Sequence, residues 1–178
     1  MTEIAFRPIA YDEFLLAIEA LATQIEKGGW KPDYIVGIGR GGLTPGCFLA
    51  HRTGIPLLSI DYSSKVFHFA EALLAHLAVC TRTGERYLFV DDINDSGKTL
   101  GRIKALLARH GGEAARLRYA VLIDNIRSAE RVDYAGRVID RTVDNEWFVF
   151  PWESVAPADT LSREAMEEPD RLSLKPSP

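Results

Sequence analysis

Two hydrophobic periods alternate along this chain, and that alternation restricts its fold more than any other feature. Short apolar runs rich in β-branched residues occur at "DYIVGIG" (33–39), "IPLLSID" (55–61), "RYLFV" (86–90) and "RYAVLID" (118–124). They read as buried strands. Amphipathic stretches lie between them. "YDEFLLAIEALATQIEKGG" (11–29) sets Phe14, Ile18, Leu21 and Ile25 at helical spacing, with Asp12 as its expected cap and Gly28 as its stop. "LTPGCFLAHRTG" (43–54) reads as a helix with Thr44 as N-cap, Pro45 in the first turn and Gly54 as terminator. "TLGRIKALLARHGG" (99–112) reads as a third helix. Residues 62–84 contain a helical stretch at 67–79 or a longer excursion around one, and "EWFVF" (146–150) is a short apolar segment. Strands alternating with helices imply an α/β fold, a parallel sheet flanked by helices. Such sheets bind ligands at the carboxyl ends of their strands. The unusual stretches lie at those ends: "GRGG" after the first strand, "DDINDSGKT" after the third, "DN" after the fourth.

The 178 residues suffice for one domain with a sizeable core. A net charge of −4 gives no electrostatic footprint for nucleic acid. "MTEIAFRPIA" carries Glu3 and no apolar core of a signal peptide. "FAEALLAHLAVC" (69–80) is interrupted by Glu71 and His76 and is too short to cross a bilayer. Cys47 and Cys80 form no CxxC pair, and His51, His68, His76 and His110 show no metal-ligand grouping. These features fit a cytoplasmic protein with two ordinary thiols, and neither a membrane nor a nucleic-acid partner. The segment after Pro151 is rich in Pro, Ser and Glu, so residues 154–178 are expected to be a loosely held tail beyond a domain at 1–153.

The stretch "VDDINDSGKTL" (90–100) ends in Gly97-Lys98-Thr99, like a P-loop. A P-loop needs a glycine at position 92, which here is Asp92. A turn of small residues opening a helix is an anion site suited to one phosphate. Ser96 and Thr99 add hydroxyls there, and Lys98 adds a charge. Asp91, Asp92 and Asp95 would repel a phosphate unless they face another part of the ligand. Vicinal sugar hydroxyls, or a Mg²⁺ ion carrying phosphate oxygens, satisfy that condition. The pattern therefore suits a phosphorylated ribose with a metal-bound diphosphate better than ATP.

A strand ending in two acids, then a third acid, a small residue, Gly, any residue and Thr resembles the phosphoribosyl-diphosphate motif of type I phosphoribosyltransferases. "IGRGGLTPGCFLA" resembles the pyrophosphate loop of their purine-salvage members, with Arg40-Gly41 at the matching pair. "DNEWFVFPWE" resembles the C-terminal hood of xanthine–guanine and hypoxanthine phosphoribosyltransferases, where an aromatic residue and its neighbour hold the base; Trp147 and Phe148 match. The resemblance covers about residues 30–153. It implies Mg²⁺-dependent displacement of pyrophosphate from ribose C1 by a ring nitrogen of a base, a purine by the hood. It implies that Asp91 and Asp92 bind ribose hydroxyls directly or through the metal, and that Asp95 is the general base. Residues 95–99 (Asp95, Ser96, Gly97, Lys98, Thr99) would hold the 5′-phosphate, Arg40 and Gly41 the diphosphate, and Glu153 a second metal. A homodimer or homotetramer is the usual assembly of such enzymes.

The sequence departs from that pattern in two places. The Ser-Tyr pair of the closing loop has no clear match, since "DYSSK" offers Tyr62-Ser63 in reverse order. The 6-oxopurine enzymes usually carry a lysine at the end of the fourth strand, where this chain has Asp124-Asn125. Asn125 can donate to an exocyclic oxygen, whereas an ionised Asp124 only accepts. Two other readings compete. "GIGRGG" matches GxGxxG at Gly37, Gly39 and Gly42, with Asp61 nineteen residues on, as in dinucleotide-binding folds. A non-catalytic, nucleotide-sensing regulator could also share the phosphoribosyltransferase scaffold.

Overall fold

The four buried runs pair edge to edge in parallel. In the computed structural model, which describes residues 5–61 and 67–167, they give strands β2 (Tyr34–Ile38), β3 (Leu57–Ile60), β4 (Tyr87–Asn94) and β5 (Leu117–Asn125). With a fifth strand, β6 (Tyr134–Ile139), they form one sheet of order β3-β2-β4-β5-β6. The registers Val36↔Phe89 and Phe89↔Tyr119 put β2 and β5 on either side of β4. The two-residue period of β4 divides the core. Leu88 and Val90 face a cluster with Phe14, Ile18, Leu21 and Leu49, while Tyr87 and Phe89 face one with Leu74, Leu77, Ile103 and Leu107. Helices α1 (Tyr11–Lys27) and α2 (Gly39–Thr53) cover the first face; α3 (Phe67–Arg82) and α4 (Lys98–Arg109) cover the second. Helices on both faces leave the carboxyl ends of the strands as the open edge. The expected α/β architecture is what the structure shows.

Several local expectations are corrected. Helix α1 is preceded by Ala10 in extended backbone, and Asp12 stands in its first turn without capping it. An acid there still opposes the positive helix end. Helix α2 begins at Gly39, so Thr44 and Pro45 lie inside it. Strand β4 runs through both acids to Asn94 instead of ending at Val90. Strand β6 has no counterpart in the sequence reading, because "YAGRVI" lacks a run of apolar residues. It works as an edge strand through Gly136, where a β-carbon would lie 2.9 Å from Ala17 Cβ and 2.9 Å from Leu122 O, so α1 rests directly on it. A second, two-stranded sheet joins β1 (Phe6–Pro8) in parallel to β7 (Trp147–Val149), tying the start of the chain to "EWFVF". Within the 154–178 segment, expected as a loose tail, residues 158–167 form a helix, α5 (Ala158–Glu167), in which Ala165 is buried. Residues 168–178 and the Tyr62-Ser63 pair lie outside the described residues. Among the described residues, no helix is long and apolar enough to cross a membrane.

Candidate active site

The "GRGG" stretch shows first why its glycines are there. A β-carbon on Gly42 would sit 2.0 Å from Val90 O, and one on Gly41 would sit 2.3 Å from Asp92 Oδ2. One on Gly37 would meet Leu43 Cα at 2.8 Å. The first turn of α2 is therefore pressed against the end of β4. The glycines permit that approach.

The approach creates a cleft of about 830 Å³ along the carboxyl edge of the sheet. Arg40, Gly41, Asp91, Asp92, Thr99 and Glu153 all line it. Six residues singled out in the sequence, from three separate stretches, thus share one wall system. Asp61, at the end of β3, and Thr160 and Leu161 of α5 line it as well. The sequence reading did not assign α5 to the site, because it follows a Pro- and Ser-containing stretch with no motif. Asp91 is largely buried, and the Asp92 backbone N–H donates to its Oδ1 at 3.0 Å. Glu153 is partly committed to the fold: its Oε2 accepts the Phe150 N–H at 2.8 Å.

Beside this cleft, the loop between β4 and α4 is braced from behind. Gly97 has φ of +84°, with Ser128 Oγ and Glu130 N each 2.8 Å from where a β-carbon would stand. Asn94 Nδ2 donates to Asp124 Oδ1 at 2.7 Å and to Glu130 O at 2.9 Å. Ser128 Oγ–H donates to Asn94 Oδ1 at 2.9 Å, and the Ala129 N–H reaches Ser96 O at 3.3 Å. The turn at 128–130 thereby fixes the loop that ends in Ser96, Gly97 and Lys98. Those residues open α4, and Lys98 N–H donates to Ser96 Oγ at 3.4 Å.

Asp95 is placed differently from its neighbours. Its side chain is 4% exposed and is held by Arg141, itself 3% exposed. Arg141 Nη2 donates to Oδ2 at 2.9 Å and Nε to Oδ1 at 3.0 Å. Asn125 Nδ2 donates to Asp95 O at 3.0 Å and to Oδ1 at 3.3 Å. The Asn125 oxygen accepts the backbone N–H groups of Arg127 and Arg141 at 3.2 and 3.3 Å. Phe148 is buried, with three guanidinium groups around its ring: Arg141 at 4.8 Å, Arg7 at 5.5 Å and Arg137 at 5.7 Å. Trp147 pairs with Phe6 in the small sheet. Next to Arg141, the Arg127 guanidinium and the Thr142 N–H and hydroxyl hold the Asp140 carboxyl well below the usual carboxylate range. That pins the bend carrying Arg141.

Arg141 is the residue that sequence reasoning missed. One signal was available: it stands two residues past the end of a strand, at the same sheet edge as the acidic motif. Without β6, that position was invisible.

The phosphoribosyl transferase domain model matches residues 10–156. The chain is 26% identical over 150 residues to a xanthine-guanine phosphoribosyltransferase of Nitratidesulfovibrio vulgaris, covering 83% of this chain and 84% of the relative. It is 27% identical over 155 residues to the protein of the same name from Gluconobacter oxydans, covering 85% and 86%. Its structure resembles the crystal structure of a purine phosphoribosyltransferase from Pyrococcus horikoshii, with a TM-score of 0.64 and 27% identity, over 86% of this chain and 98% of that one.

Proposed function

This chain belongs to the phosphoribosyl transferase domain family, and from that premise we propose that it moves the phosphoribosyl group of 5-phosphoribosyl 1-diphosphate onto a ring nitrogen of a 6-oxopurine, releasing pyrophosphate. The observation that carries this reading is the single cleft shared by Arg40, Gly41, Asp91, Asp92 and Thr99. It offers a fork for a diphosphate, acceptors for ribose hydroxyls and a hydroxyl beside a helix N-terminus within one cleft. The relatives named as xanthine-guanine enzymes support the purine class of base. A dinucleotide reading does not explain the acids.

In the proposed reaction the C1–O bond to the diphosphate breaks and a C1–N bond forms. Positive charge develops on the sugar ring, negative charge on the leaving group. Arg40 and the backbone of Gly41 would hold the departing diphosphate, where a guanidinium gives two parallel donors. Asp91 and Asp92 would accept from the ribose hydroxyls. Ser96, Gly97, Lys98 and Thr99 would bind the 5′-phosphate through backbone N–H groups, hydroxyls and one cation. The base would lie under the hood of Trp147 and Phe148, near Asn125, with Asp95 as acceptor of its ring proton.

The donor set also suits Mg²⁺. Asp91, Asp92 and Glu153 supply carboxylate oxygens to the cleft, while no group of three ligating side chains forms a dedicated cage among the described residues. Mg²⁺ commonly binds through one or two carboxylates plus substrate phosphates. When bound, it would neutralise charge on the leaving diphosphate. The same reading makes the protein a cytoplasmic purine-salvage enzyme that works as a homodimer or homotetramer.

A ligand that binds only the native state raises its apparent stability. Thermal unfolding should therefore shift upward by several degrees with phosphoribosyl diphosphate and Mg²⁺ at about 100 times Kd, and not with NAD or NADP. A shift with NAD and none with phosphoribosyl diphosphate would overturn the proposal.

A further inference from the structure

We propose that Arg141 is a built-in occupant of the base subsite, and that a base binds only when this guanidinium withdraws. The inference rests on the function proposed above, which assigns Asp95, Asn125 and the hood to the base. All of these converge on Arg141. Its Nε and Nη2 take both Asp95 oxygens, at 3.0 and 2.9 Å. Its guanidinium carbon lies over the Phe148 ring, 4.8 Å from the centroid. Its Nη1 donates to Glu146 O at 2.6 Å and to Asp144 O at 3.0 Å, at the start of the hood. The Asn125 amide, the expected donor to an exocyclic oxygen, is turned to Asp95.

A flat group with adjacent N–H donors, lying over an aromatic ring and paired with a carboxylate, has the chemistry of a purine edge. The guanidinium engages the Asp95 carboxylate and the Phe148 ring, two of the groups that would otherwise read a base. With both Asp95 oxygens turned to Arg141 and Oδ1 also taken by Asn125, few lone pairs remain for a ring proton, so closure by this side chain opposes turnover. The Arg127–Asp140 pair fixes the backbone beside Arg141, which leaves its long side chain as the moving part. Arg141 thereby sets base affinity, since apparent affinity falls with the fraction of molecules whose site is open.

The test compares wild type, Arg141→Ala and Arg141→Gln by calorimetric titration with guanosine 5′-monophosphate and by steady-state kinetics with guanine. The glutamine variant keeps an amide donor but neither the fork nor the charge, and is read alone if the alanine variant does not fold. Removing the occupant should tighten nucleotide binding by about 10-fold or more and lower KM for guanine by a similar factor. Millimolar guanidinium should then compete with guanine in the alanine variant and not in wild type. Equal or weaker nucleotide binding in the variants, with the melting shift by phosphoribosyl diphosphate intact, would overturn the proposal and make Arg141 a support for Asp95. Loss of that shift in wild type would instead strike the proposed function itself.

Discussion

Asp92→Asn should lower kcat/KM for phosphoribosyl diphosphate by about 10²-fold while the protein stays folded. The carboxylate lines the cleft, against the Gly41 backbone, and is not part of the hydrophobic core. An amide is nearly the same size, so packing against α2 survives. It carries no charge, accepts through one oxygen only and turns a donor toward the ligand's hydroxyls. Hydrogen bonds to a charged group are worth about 1.5–3 kcal/mol each, which is roughly 10- to 150-fold in binding. Most of the loss should fall on KM for phosphoribosyl diphosphate, with KM for the base moved less. Wild-type KM for phosphoribosyl diphosphate in the variant would remove Asp92 from the site.

The second large effect concerns a residue that touches no ligand. Gly42→Ala should lower the melting temperature by about 2–12 °C and abolish most activity. The added β-carbon would stand 2.0 Å from Val90 O and 3.0 Å from Asp91 Cα. Both neighbours are backbone of the central strand, so no rotamer change relieves the overlap. Overpacking of this kind costs on the order of 1–3 kcal/mol, each worth about 2–4 °C in a chain of this size. Relief requires α2 to lift from β4, which carries Arg40 and Gly41 away from Asp91 and Asp92. Calorimetry and turnover on the same sample check both parts. An alanine variant with unchanged melting and unchanged kcat would contradict the packing account of the glycine motif.

These two residues show what was legible in the sequence. The acid pair and "GRGG" follow short β-branched runs whose period and flanking residues mark them as strands. Their place at the open edge of a parallel sheet then follows from topology alone. What stayed hidden depends on contacts between distant segments. Arg141 and Asp95 are 46 residues apart and meet only once β6 is laid beside β5. Strand β6 itself was concealed by Gly136 and Arg137, which suit an edge strand packed on Ala17 but break the apolar alternation. The three-residue strands β1 and β7 gain their stability from each other and show no periodicity of their own. Helix α5 lies in a segment whose Pro-, Ser- and Glu-rich composition reads as a loose tail, although Thr160 and Leu161 reach the cleft. The boundary of α2 moved to Gly39 because packing against β4, not the capping preference of Thr44, decides where that helix starts.

The central claim is that this cleft transfers a phosphoribosyl group to a purine. Its most direct test is pyrophosphate release by the purified full chain with phosphoribosyl diphosphate and Mg²⁺, in parallel reactions with guanine, xanthine, hypoxanthine, adenine and no base, confirming each product by mass. The account predicts release that depends on a base, with at least one 6-oxopurine preferred over adenine and converted to its nucleoside 5′-monophosphate. Adenine as the preferred base would contradict the 6-oxopurine assignment, and no base-dependent release with any purine would contradict the claim itself.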